Sequence, residues 1–180
     1  MRFSRVLASR VVAATLLALV GSLAACGGDD SGDDSDGGGS DHTVSDANWL
    51  RAADQACADA QRAIDTIPTS SASLSDPQNV EQLSQAGEEL GNLIVHLERL
   101  VRQLDDMAQP ESSSDAEKAN EVVDALGKAL ASLREAHRAA TSGDAAAYPG
   151  AFETFTQDYG DYADTARSAG LEQCGKTIPE

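Results

Sequence analysis

From residue 46 onward the chain repeats apolar positions at steps of three and four, the spacing of one buried stripe per helix. Four such stripes occur. Trp49, Ala53, Ala56, Ala60, Ile64 and Ile67 mark a first helix, capped by Ser45 or Asp46 and ended near Thr66 by Pro68 and a Ser/Thr-rich stretch. Val80, Leu83, Gly87, Leu90, Ile94, Leu97, Val101 and Leu104 carry the most regular stripe. Asp76-Pro77 reads as its cap and first-turn proline, and Pro110 marks its far limit. Gly87 sits in that seam where a side chain is expected, which predicts close approach of another helix.

A third stripe runs through Ala119, Val123, Leu126, Leu130, Leu133, His137 and Ala140, with Ser114-x-x-Glu117 as a capping box and Gly143 as its break. The fourth holds Phe152, Phe155, Tyr159, Tyr162, Ala166 and Ala169. Asp144 is a candidate cap there, but Pro149 inside the helix would cost a hydrogen bond and a clash. The helix therefore either kinks at Pro149 or starts there. Gly170 is placed as a C-terminal glycine. Four stripes with short connections predict an all-α fold, an antiparallel up-down-up-down four-helix bundle over residues 46–180.

The first 45 residues follow different rules. Arg2, Arg5 and Arg10 precede an uncharged, mostly apolar run from Val11 to Leu23, the order of a secretory signal. That run is short for a membrane-spanning helix, which needs roughly 20 apolar residues. Leu23-Ala24-Ala25-Cys26 resembles the lipobox of bacterial lipoproteins, whose cysteine is acylated before cleavage ahead of it. The resemblance implies a signal peptide over 1–25 and a lipid on Cys26, two acyl chains being enough for a stable tether. Residues 26–45 are, after Cys26, mostly Gly, Ser and Asp, with His42 and Thr43 and nothing apolar before Val44, a disordered spacer on the order of 25 Å long. Asp34, Asp36 and Gly37 match three positions of a calcium loop, but Gly32 and Thr43 stand where its first and last ligands belong.

Charge narrows the partners. The whole chain carries a formal −17. Removing residues 1–25 removes three arginines and no acid, leaving 10 bases against 30 acids, or −20. Such a surface is repelled by nucleic acid and by anionic headgroups, so no nucleic-acid partner is expected.

Candidate chemistry is sparse. A di-iron bundle needs inward Glu-x-x-His pairs, and the chain has none. Glu117, Glu121 and Asp124 lie well off the seam of their helix; Glu88-Glu89 and Asp105-Asp106 read as solvated pairs. His137 is the one residue on an apolar seam of a type that titrates near neutral pH, and His96 falls on the outer side of its helix. Neither a nucleophile elbow nor a zinc-protease motif occurs. No metal, no cofactor and no catalytic residue is expected. Five of the six aromatics beyond the leader belong to the fourth helix. They predict a core stripe or, in the second reading, a ligand cleft of Phe152, Phe155, Tyr159 and His137.

Together, the lipobox, the acidic spacer, Trp49 with Cys57 on the first helix, and Gly170-Leu171-Glu172-Gln173-Cys174 resemble small lipoproteins of high-GC Gram-positive (actinobacterial) bacteria. The resemblance implies an architecture and no particular activity. The expected protein is a lipid-anchored, extracytoplasmic, monomeric helical domain on the outer face of the cell membrane. It is expected to be non-catalytic and to bind another envelope component; the alternative is a carrier or sensor of a small apolar ligand. With Cys26 consumed by lipid, Cys57 and Cys174 remain as an even pair in an exported protein. A disulfide between them requires the tail after Gly170 to fold down over the first helix; otherwise both are buried thiols.

Overall fold

The computed structural model describes residues 43–68, Leu74, Pro77 and 79–176. The leader, Cys26 and the spacer through residue 42 lie outside the described residues, as does Asp76. The fold is all-α. Among the described residues it has four helices: α1 (Asp46–Ile64), α2 (Val80–Asp105), α3 (Ser113–Thr141) and α4 (Tyr148–Ser168). A two-residue parallel pairing joins β1 (Thr43–Val44) to β2 (Gln109–Pro110).

That small pairing moves the start of the folded unit earlier than residue 46. The Glu111 amide donates to the Val44 carbonyl at 3.0 Å. Asp46 accepts the Ser112 amide at 3.1 Å, so its carboxylate staples the start of α1 to the α2–α3 connection instead of capping its own helix. Two expected caps also shift. Asn79, not Asp76, caps α2 by accepting the Gln82 amide at 2.9 Å. Ser112, two residues before Ser114, caps α3 through the Asp115 amide at 3.2 Å. In each case the side chain that reaches the third amide on is the one that wins.

α3 is the central helix, packing against both α2 and α4, while α1 packs against α2. Along α2 and α3 the partners run in opposite order: Gly87 meets Ala140 and Thr141, Gly91 meets His137, and Glu98 holds Arg134 at 2.7 Å. The core contains Leu83, Leu90, Leu97, Leu126 and Leu133, all essentially inaccessible to solvent. Each such side chain contributes about 2 kcal/mol by leaving water. The buried face of α2 is wider than its single stripe, since Ala86, Leu93 and Leu100 are buried as well. Val80 at its start is instead 78% exposed.

Both α3 and α4 end on a glycine with positive φ, Gly143 at 73° and Gly170 at 88°. Each forms the paired bonds of a Schellman turn. Gly143 donates to Ala140 (3.1 Å) and Asp144 to Ala139 (2.9 Å); Gly170 donates to Arg167 (3.1 Å) and Leu171 to Ala166 (3.0 Å). Asp144 then caps the turn ahead of α4, accepting the amides of Ala146 and Ala147. α4 begins at Tyr148, so Pro149 falls in its first turn and the helix needs no kink.

Candidate functional sites: an aromatic seam and a glycine groove

Two regions carry the unusual residues. The first is the inner face of α4. Tyr148, Phe152, Phe155, Tyr159 and Tyr162 form a continuous row with ring centroids 5.8, 6.0, 5.9 and 5.5 Å apart. These separations lie within the range where aromatic pairs attract beyond their burial. All but Phe152 are buried. The hydroxyls leave the row through defined partners: Tyr148 donates to the Leu74 carbonyl (2.6 Å) and Tyr159 to the Lys176 carbonyl (3.1 Å). Burial pushes the Tyr159 phenol up to about 12. It also raises Tyr148, with Glu89 adding to the effect, and Tyr162, with Tyr159 and Asp54 adding.

At the C-terminal end of this row, Cys57 and Cys174 are joined by a disulfide, their Cα atoms 4.9 Å apart and 117 residues apart in sequence. The tail does fold down over α1. Asp54 accepts the Gln173 amide at 2.9 Å, and Leu171 is buried. The Tyr162 hydroxyl lies 3.7 Å from Cys57 Sγ. Gly175, which the periodicity does not single out, fixes the last bend. Its φ is 66°, and a Cβ there would fall 2.4 Å from Ala163 Cα. Only glycine meets both demands.

The second region is a groove of about 710 Å³ between the start of α2 and the end of α3. Val80, Ser84, Gly91, Glu88 and His137 line it, together with Thr141. It exists because α2 offers small residues along this face. A Cβ on Gly87 would sit 3.1 Å from Thr141 Cγ2, and one on Gly91 would sit 3.3 Å from His137 Nε2. The close approach expected at Gly87 is therefore present, and Gly91 extends it by a turn.

The structure does not bring the expected ligand cleft together. His137 is half-buried over Gly91 in the groove, whereas Phe152, Phe155 and Tyr159 pack on one another as tilted rings along α4. None of the described cavities is lined by those three rings. Their own volume fills the seam.

Among the carboxylates, Glu117, Glu121, Asp124, Asp105 and Asp106 are exposed, as their spacing predicts. Glu89 is not: it is buried and accepts a hydrogen bond from the Gln85 side-chain Nε2 at 3.0 Å. Asp158 is a second buried acid that periodicity missed. The Ser132 hydroxyl donates to it and Lys128 Nζ lies 2.9 Å away. Those two partners, the hydroxyl first, hold its carboxyl below the usual carboxylate range. His96 is half-buried instead of fully outward. Among the described residues no group of three or more His, Cys, Asp or Glu is placed to hold a metal ion. None of their helices is long and apolar enough to cross a membrane. Compared with protein-family models, curated proteins and solved structures, the chain matches none of them.

Proposed function

We propose that this chain is a lipoprotein tethered through Cys26 to the outer face of a bacterial cell membrane, and that its helical domain is a non-catalytic binding module for another envelope component. The anchor rests on Leu23-Ala24-Ala25-Cys26 after a short apolar run. The opposite order of partners on α2 and α3 supports an up-down-up-down course for the domain. The binding role rests on one observation above all: an open groove on α2 and α3 beside an exposed valine, on a domain whose aromatic seam is packed with its own rings. That arrangement suits a surface partner better than an enclosed apolar ligand, which remains the second reading.

Mass spectrometry of the mature N-terminus tests the anchor: a diacylglyceryl-modified Cys26 is expected, and Cys26→Ser should move the protein from the membrane fraction to the medium or leave an uncleaved precursor. A soluble, unmodified wild-type protein overturns it. Crosslinking in intact cells followed by mass spectrometry tests the binding role. Reproducible crosslinks from the domain to one envelope protein are expected, and their absence at native abundance overturns the module.

A further inference from the structure

The two large hydrophobic residues most exposed among the described residues are Val80, at 78%, and Val95, at 51%. Both belong to α2, and they are not scattered. At 100° per residue, Val80, Ser84, Glu88, Gly91 and Val95 fall within an arc of about 80° on one face. Val80 and Val95 stand about 22 Å apart along the axis, with the groove lying between Val80 and Gly91. An isolated exposed valine needs no explanation. Two at the ends of one stripe, with only small or polar residues between them, form a linear docking face of about four helical turns.

Charge selects the occupant. Glu81 and Glu88 are exposed on or beside this stripe, and neither has an ion pair among the described residues. The cations nearest the groove on α3 are already committed, Arg134 to Glu98 and Arg138 to Glu135. The rim is thus net acidic, on a chain of formal charge −17. Building on the binding-module reading above, we infer that the α2–α3 groove receives a basic amphipathic helix of a partner protein. Its apolar side chains rest on Val80 and Val95, its small residues face Ser84 and the His137 ring that covers Gly91, and its Lys or Arg side chains reach Glu81 and Glu88. A helix laid in a groove buries its apolar anchors at three- and four-residue steps, and opposite charge at the rim steers its approach.

The test titrates the full chain with a labelled synthetic four-turn helix of leucine, alanine and lysine, and with the same peptide carrying glutamate in place of lysine. The lysine peptide should bind and the glutamate peptide should not. Glu81→Lys with Glu88→Lys should weaken binding at least tenfold, whereas Glu117→Lys with Glu121→Lys, an equal charge change on the exposed face of α3, should alter it less than twofold. Ser84→Trp, which fills the groove from an exposed position without changing charge, should also weaken binding at least tenfold. Equal losses from the two charge reversals would reduce the binding to diffuse attraction and overturn the inference. So would a concentration-dependent dimer that Ser84→Trp dissociates, since the groove would then belong to a second copy. A lysine peptide that fails to bind overturns the inference alone; crosslinks to an envelope protein from another face would leave the binding module standing.

Discussion

The α4 seam and the α2–α3 seam have the same spacing in sequence and opposite characters in the structure. Both alternate steps of three and four, and both bury a continuous stripe. On α4 the stripe is made of rings, which fill the space they face and are sealed at one end by the disulfide and the tail. At the start of α2 the stripe includes Gly87, with Ser84 and Gly91 beside it. There the helices approach closely, and a furrow is left next to the contact. Periodicity says where two helices meet. The volume of the residues at that place decides whether the meeting becomes core or cleft.

Alkaline unfolding tests the sealed side most severely. In the unfolded chain the three phenols ionise near pH 10. In the folded domain burial holds Tyr159 to about 12 and raises Tyr148 and Tyr162 as well. The folded form therefore keeps protons that the unfolded form releases. Stability is fully present below pH 10 and is lost as the pH rises from there through the folded pKa values. Three retained protons correspond to a loss of about 4 kcal/mol per pH unit. Tyrosinate absorbance and loss of helical circular dichroism should rise together in one steep transition above pH 10. Phenols that ionise one by one near pH 10 while the helices persist would mean the seam is open to water.

The disulfide comes next. Reducing it, or replacing both residues in Cys57→Ser/Cys174→Ser, releases a tail otherwise held by Leu171, by the Gln173–Asp54 bond and by the Tyr159–Lys176 bond. A loop of this size gives a chain-entropy ceiling of about 4.7 kcal/mol, and losses measured on removing native disulfides span about 2–5. We expect a loss of 2–4 kcal/mol in denaturant unfolding. Hydrogen exchange should quicken first in residues 170–176 and in α1 around Asp54, with the α2–α3 seam unchanged. Uniform loss of protection across both seams would show that the two regions are one cooperative unit, and the contrast between them would lose its energetic content.

Much of this was legible in the chain and some was not, for reasons that can be named. The four helices, the glycine stops at Gly143 and Gly170, the closeness at Gly87 and the pairing of Cys57 with Cys174 follow from period, turn chemistry and parity. The caps at Asn79 and Ser112 were misplaced by a few residues because several nearby Ser and Asp side chains offer similar caps, and only the backbone path decides among them. Asp158 was missed as a buried acid because it sits beside a seam and its partners, Ser132 and Lys128, come from another helix, α3. Glu89, which reads as half of a solvated pair, is buried and bonded within its own helix to Gln85. The cleft of His137 with the α4 rings failed on direction. The seam of α3 has two sides, one toward α2 and one toward α4, and His137 faces α2. Gly175 was unreadable in advance, because its need arises from a contact with Ala163 that exists only once the tail is bonded in place.

Glycine substitutions sharpen the comparison with the smallest effects. In a helix interior, glycine costs about 1 kcal/mol relative to alanine, so an alanine there stabilises wherever space allows. Gly127 of α3 and Gly160 of α4 have open space where a Cβ would go. Gly127→Ala and Gly160→Ala should each stabilise by about 0.5–1 kcal/mol. Gly87 is different: its Cβ would meet Thr141 Cγ2 at 3.1 Å. Thr141 is β-branched on a helix and restricted in χ1, and its hydroxyl is hydrogen-bonded to the His137 carbonyl at 2.9 Å. It cannot swing aside without losing that bond, so the α3 end must move. The propensity gain and the packing cost are then of similar size, and Gly87→Ala should be neutral or destabilising by up to about 1 kcal/mol. Gly91→Ala stands between the two, since its neighbour at 3.3 Å is the tip of the His137 ring, which can shift. The expected order of melting temperatures is Gly127→Ala and Gly160→Ala highest, then Gly91→Ala, then Gly87→Ala. A Gly87→Ala variant as stable as Gly127→Ala would mean the helices do not depend on close approach there, and the α2–α3 groove would owe nothing to its glycines.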